Sequence, residues 1–269
     1  MKFQFAHNQH LMSKRHARYP ILGKIVNHLF GTTNVGQYAR ANLFQKILNE
    51  LPHHKFQHVL DLGCGQGEYA FMMANAFKKT QITALDIEKE RIRSINEIIG
   101  FQHISNLSTH LGGCDTLPKD NQFDFIYSID VFEHIEEDEM PFADAYLRLK
   151  ENGLLLVKMP SRDQVKVLPR KWFAKHEEWL NKEHIGQIYM LEDLENRMKK
   201  EGFEIVYSSY GDGMISRLSW ELGYLSRKGG PIIQLLLLPF LKALVLLDRT
   251  TFSSTKGNSI QVIGKKVKS

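Results

Sequence analysis

Residues 59–67 read VLDLGCGQG: an apolar run broken by one aspartate, then three glycines within five positions. The run has the character of a buried strand. A turn that brings backbone close to a ligand needs residues without a Cβ, because only glycine takes positive φ freely. In an open parallel sheet, ligands sit outside the carboxyl ends of the strands, where the first strand-to-helix turn can reach them. The spacing then separates two cofactor classes. A dinucleotide turn reads GxGxxG, but counted from Gly63 the sixth position is Glu68, and Gly67 arrives one residue early. An acid there opposes a pyrophosphate at a helix N-terminus. Asp61, inside the strand, suits a cationic ligand. A nicotinamide or flavin dinucleotide, and with it a dinucleotide oxidoreductase, is disfavoured.

Outward from this turn, β-rich apolar runs alternate with helix-like stretches. The runs are 58–63, 81–86, 106–113, 123–130 and 153–160; between them lie 67–79, 88–100 and 139–153, the last two closed by Gly100 and Gly153. Residues 190–210 add a helix stopped at Gly202 and a sixth strand, and 258–267 a seventh. This predicts an α/β fold, a doubly wound, mostly parallel seven-stranded sheet of Rossmann-like form. Residues 1–56 form an N-terminal helical cap, 57–210 with 258–269 the core, and 211–257 an apolar insertion suited to be an acceptor lid. No internal repeat or low-complexity tract is visible.

Other acids fall at the same end of the sheet. Asp86 closes ITALD at the end of the second strand, where a carboxylate can accept both ribose hydroxyls of an adenosine. Asp115 in LGGCDTLP follows the third strand and can accept from an exocyclic amine, or cap a helix. FDFIYSIDVFEHI places Asp130, Glu133 and His134 at the end of the fourth.

With LDLGCGQG, ALDIE, GGCDTLP and FDFIYSIDVFEHI in this order, the chain resembles the class I S-adenosylmethionine-dependent methyltransferases over about 57–209 and again at 258–267. The resemblance implies S-adenosyl-L-methionine as cofactor. It puts Asp61, Gly63, Gly65 and Gly67 around the methionine end, Asp86 on the ribose, Ile87 against adenine, Asp115 at its amine and Asp130 beside the transferring methyl. Tyr38 and Arg40 in the N-terminal YAR would close over the cofactor carboxylate.

Methyl transfer asks the protein to align the acceptor and, for a hydroxyl, to remove its proton. The candidates for that base are His134 and His184, and Glu133 is counted with them among the catalytic residues. The run DVFEH resembles the metal-binding E-x-x-E-H of ubiquinone-pathway O-methyltransferases and small-RNA 2′-O-methyltransferases, with Asp in place of the first Glu. Asp130, Glu133, His134 and His184 are therefore the metal candidates; the favoured reading has no metal, with Glu133 and His134 shaping the acceptor pocket.

Residues 1–49 carry seven Lys/Arg and no Asp/Glu, 210–269 nine cations against three acids, and 50–209 nineteen against 27. Basic ends around an acidic centre attract an anionic surface, or are simply solvated. Two cysteines, Cys64 and Cys114, 50 positions apart, make no disulfide framework and fit a reducing, cytoplasmic setting. The N-terminus lacks the apolar core and cleavage site of a secretory signal. The apolar run 231–248, interrupted by Gln234, Pro239 and Lys242, reads as too short and broken to span a bilayer; a buried helix and a monotopic, peripheral membrane contact stay open. The leading expectation is methyl transfer to a small-molecule, hydrophobic or lipid-like acceptor at oxygen. An RNA 2′-O-methyltransferase is the alternative, supported by the basic ends but by no RNA-binding motif. A scaffold that binds the cofactor without transfer is another.

Overall fold

The computed structural model describes residues 29–120, 122–183, 188–251 and 256–267, together with Ile21 and Ile25. Strands β1 (His58–Leu62), β2 (Gln81–Asp86), β3 (Leu107–Leu111), β4 (Phe123–Ile129), β5 (Leu149–Pro160), β6 (Phe203–Gly211) and β7 (Ser259–Lys266) form one sheet in the order β3-β2-β1-β4-β5-β7-β6. β7 runs antiparallel to both its neighbours; the other pairs are parallel. The chain leaves β1 in one direction for β2 and β3, then returns to β1's other side for β4. That reversal opens a crevice at the carboxyl ends of β1 and β4, the usual place for a ligand.

Described helices are α1 (Val35–Glu50), α2 (Glu68–Ala76), α3 (Lys89–Gln102), α4 (Phe142–Arg148), α5 (Ala174–Glu183), α6 (Leu191–Lys200), α7 (Met214–Ser226) and α8 (Gly230–Thr251). They cover both faces of the sheet, which is why the central strands β1, β4 and the second half of β5 are nearly continuous apolar runs, while the edge strands β3 and β6 are mixed. Because side chains alternate along a strand, Val59, Phe125, Tyr127, Leu154 and Leu156 enter one core layer, with Phe44 of α1, Met73 of α2 and Ile95 of α3. Leu60, Leu62, Ile126, Leu155 and Val157 enter the other, with Phe142 of α4 and Leu194 and Met198 of α6. Asp61 shares the parity of Val59 and is in register with Tyr127, so it lies on the α1–α2 side of the sheet.

Two expected helix stops are corrected. α3 runs through Gly100 to Gln102, and His103 takes the left-handed conformation (φ 52°), its N–H reaching the Ile99 and Gly100 carbonyls. α4 ends at Arg148, and residues 149–153 already belong to β5, whose register against β4 shifts there. Gly153 serves close backbone approach: a Cβ on it would lie 2.9 Å from the Lys150 carbonyl oxygen and 3.1 Å from that of Phe123. Gly202, by contrast, does sit at φ 92° between α6 and β6.

Between β6 and β7 lie α7 and α8. Leu238, Leu241 and Val245 of α8 are buried against Val35 and Ala39 of α1. Ser219 of α7 donates to the Leu241 carbonyl at 2.7 Å, and Asp248 accepts from the Ile215 N–H at 3.2 Å, so α8 also holds the start of α7. The apolar run is longer than the sequence suggests, since Pro239 sits within a continuous 22-residue helix. By length and composition alone the Met214–Asp248 segment could cross a membrane. Both cysteines are buried and free.

Candidate active site

At the end of β1 the chain turns sharply. The N–H groups of Gly63 and Cys64 both donate to the Leu85 carbonyl of β2, at 2.9 and 2.8 Å. Gly63, Gly65 and Gly67 take φ of 78°, 54° and 79°, a region closed to most side chains. Their surroundings differ. A Cβ on Gly63 would sit 2.6 Å from both Val131 methyl groups, and one on Gly67 3.0 Å from Ile95 and Phe71, whereas at Gly65 nothing lies within 4 Å. Gly63 and Gly67 are needed for packing, and Gly65 borders open space beside the sheet.

Asp86 ties this turn to β2. Its Oδ2 accepts from the Gly65 N–H at 2.8 Å and its Oδ1 from the Glu88 N–H at 2.9 Å, with Arg91 Nη1 3.4 Å from Oδ2. A carboxylate accepts about four such bonds, so capacity remains for a ligand hydroxyl. Ile87, next along the chain, is 76% exposed. Asp115 lies on a short 3₁₀ turn, Cys114–Thr116, exposed at the end of β3.

Asp61 is buried, and its Oδ2 has no hydrogen-bonding partner. Burial pushes its carboxyl up to about 8; Tyr127 pulls it back part of the way and Asp86 pushes it further. Such an acid is stranded unless a cation or donor arrives.

Past β4 the pattern is opposite. Asp130, itself at φ 55°, meets Lys158 Nζ at 2.7 Å and Arg40 Nη1 at 3.3 Å. Burial raises its carboxyl, but Lys158 and Arg40 outweigh this and, with His134 contributing, hold it below the ordinary range. Arg40 is likewise opposed by burial, yet Asp130, Tyr69 and Glu68 raise it above its ordinary value. Glu68 opens α2 and accepts from Gln37 of α1.

Glu133, three residues past Asp130, is buried with Oε2 unpartnered. Burial first, then the Asp130 charge, raise its carboxyl well above the usual range. His134 is exposed beside it.

The network thus runs from Asp86 through Asp61, Tyr127, Tyr69 and Arg40 to Asp130 and Glu133, each influencing the next. Asp61, Asp86, Asp130 and Glu133 are thus linked through neighbouring charges, and Asp115, exposed on its turn after β3, is not part of that network. Tyr38 does not join Arg40 there. Two residues apart on α1 they point about 200° apart, and Tyr38 instead lies under Lys242 Nζ of α8, 4.8 Å from the ring centroid. His184 lies outside the described residues. Among the described residues no group of three or more His, Cys, Asp or Glu could hold a metal ion.

Sequence reasoning missed Lys158. It is buried in β5, its Nζ also 3.8 Å from Asp212 Oδ2 after β6, and Ser259 donates to that same oxygen at 2.8 Å. The signal was present: one lysine inside the apolar run GLLLVKMP, at the strand's carboxyl end. Asp212, at φ 51°, repeats the left-handed backbone of Asp130 on the other side of the lysine.

These residues fit S-adenosylmethionine. Asp61 offers a buried carboxyl oxygen without a partner, a site for a cationic group; Arg40, on Asp130 and partly exposed, is the cation within reach of a carboxylate; and open space faces Gly65.

A family model described as a methyltransferase domain matches residues 35–208. The (S)-coclaurine N-methyltransferase of Papaver somniferum is 32% identical over 101 residues, 38% of this chain and 29% of that protein. The malonyl-[acyl-carrier protein] O-methyltransferase of Porphyromonas gingivalis is 26% identical over 134 residues, 49% of each. The chain thus spans half or less of the length of these curated relatives. Among solved structures, the O-methyltransferase of a trans-AT PKS multienzyme of Brevibacillus brevis, in complex with S-adenosyl-L-homocysteine, superposes with a TM-score of 0.56 at 14% identity, covering 98% of this chain and 80% of that one. That likeness is one of fold.

Proposed function

Since the chain belongs to the methyltransferase-domain family, we propose that it transfers a methyl group from S-adenosylmethionine to a hydroxyl oxygen of a small, hydrophobic or lipid-like acceptor. When bound, the cofactor supplies a methyl made electrophilic by its sulfonium. Asp61 and the turn Gly63, Gly65 and Gly67 hold the methionine end, with Asp61 as counter-charge to the ammonium and Arg40 reaching its carboxylate. Asp86 takes the ribose, Ile87 covers the adenine, and Asp115 accepts from its amine. Asp130, fixed by Lys158, presents a constant negative charge beside the reacting carbon.

The observation that carries the choice of oxygen is Glu133: a buried, unpartnered carboxyl whose proton affinity is raised toward neutrality. A general base works best when its pKa lies near the operating pH. With the methyl passing from the sulfonium to the acceptor oxygen, Glu133 would take the hydroxyl proton, and exposed His134 would relay it to water.

The experiment uses cofactor with an isotopically labelled methyl, incubated with lipid, polar-metabolite and RNA pools, and measures S-adenosylhomocysteine release and the position of the label. Label on oxygen in the lipid pool, lost in Glu133→Gln while cofactor affinity persists, is the expected result. Label on nitrogen or on RNA, or unimpaired transfer by the variant, contradicts the proposal.

A further inference from the structure

One surface is left over by this chemistry. Along α8 as far as Asp248 the exposed positions are all non-polar: Ile232 (74% exposed), Leu236 (75%) and Phe240 (56%) lead a stripe that continues through Leu246 and Leu247. Its single cation before Asp248, Lys242, turns inward to the Phe30 carbonyl and the Tyr38 ring. Gln234 and Lys242 are half-buried, and every mostly exposed residue between 231 and 247 is non-polar. A second apolar strip precedes α1 in the chain. Ile21, Ile25 and Leu29, helical and spaced four apart, are all exposed, and Phe30, next in sequence, packs on the α8 cluster.

The charges around these strips are one-sided. Arg227 and Lys228 are exposed at the entrance to α8. The acids of α7, α8 and the turn before α7 are engaged internally. Glu221 is fully buried on Arg217 and the Val167 and Leu168 N–H groups, Asp248 is buried on Ile215 N–H, and Asp212 is paired with Lys158 and Ser259. Residues 1–49 contain no acid at all.

We propose that this face docks on the anionic surface of a lipid bilayer, with α8 lying in the interface plane and its exposed stripe inserted among the acyl chains. A protein partner would call for polar hydrogen-bonding groups around the apolar centre, and the mostly exposed residues of the stripe are all non-polar. An interfacial helix needs only an apolar face and cations at headgroup level. The opposite stripe, Leu238, Leu241 and Val245, keeps the helix fastened to α1, so it lies on the fold instead of leaving it to cross the membrane. The proposal stands independently of the acceptor's identity.

The test is flotation of the full chain with vesicles of phosphatidylcholine alone or mixed with phosphatidylglycerol. The wild type is expected to float with the mixed vesicles, less so as salt rises. The double change Leu236→Glu with Phe240→Glu should reduce binding at least about tenfold. Arg227→Glu with Lys228→Glu should remove most of the preference for phosphatidylglycerol, about fivefold per cation. Both variants should keep cofactor affinity and thermal midpoint. Hydrogen exchange on the wild type gives a readout free of mutation: 231–247 should gain protection only with vesicles. Absence of flotation, flotation unchanged by Leu236→Glu with Phe240→Glu, or a dimer that this variant disperses without any vesicle binding would each overturn the proposal.

Discussion

Replacing Asp61 by asparagine should move stability and cofactor affinity in opposite directions. The carboxyl rises from an ordinary 3.8 to about 8 because it is buried, with one oxygen unpartnered. A folded-state pKa above the unfolded one means that stability is fully present below the ordinary value and is lost as pH rises through about 8. At about 1.4 kcal/mol per unit, ionising this carboxyl in the ligand-free fold costs on the order of 5 kcal/mol, an upper bound. A neutral amide in its place escapes that cost. Urea unfolding of the ligand-free protein should therefore show Asp61→Asn equal to wild type at acid pH and more stable by a few kcal/mol at alkaline pH. Cofactor binding should show the reverse. The wild-type carboxyl must ionise to meet the ammonium, so binding near neutrality releases a proton and tightens by up to about tenfold per unit as pH approaches the folded value. Calorimetry in buffers of different ionisation enthalpy would detect that proton, and in Asp61→Asn both the proton and most of the affinity should vanish. If the variant gained no stability over wild type at alkaline pH, the carboxylate would have to be well paired in the ligand-free fold, and the reasoning would fail.

The glycine turn offers a second separation. Gly63→Ala should cost about 2–5 kcal/mol, from left-handed backbone and the 2.6 Å approach to Val131, and adding Val131→Ala should restore the steric part by calorimetry. Gly65→Ala, with open space ahead of it, should lose only about 1–2 kcal/mol of stability and instead weaken cofactor binding in titration. Lys158→Met removes the nearer cation from Asp130, keeping Arg40 and the weaker influence of His134, and should destabilise by about 3 kcal/mol at neutral pH. Because the Asp130 carboxyl is depressed in the fold, its contribution is present above the ordinary value and lost as pH falls, so the gap between variant and wild type should close in acid unfolding curves. Glu221→Ala strands the Val167 and Leu168 N–H groups and the Arg217 guanidinium, and faster proteolysis of segment 161–173 should report it.

Much of this was legible from residue order alone. The central strands are short apolar runs because both faces of the sheet are covered, and the three-glycine turn after Asp61 marks backbone that adopts positive φ. Helix ends were less legible. Gly100 and Gly153 look like stops, but His103 took the first role and β5 reclaimed the second, since local signals cannot tell a helix cap from close strand contact.

Residue order suffices for the succession of seven strands and for the acids Asp61, Asp86 and Asp130 at strand ends, because strand periodicity and glycine spacing are local properties written in neighbouring residues. Which of those acids are charged came from the assembled fold: Lys158 from β5 and Arg40 from α1 meet Asp130, while Asp61 and Glu133 each keep a buried oxygen without a hydrogen-bonding partner. The division of the α8 leucines into a buried stripe and a bare one has the same origin. Charge state and exposure depend on what distant parts of the chain bring within a few ångströms, and residue order carries no record of that distance.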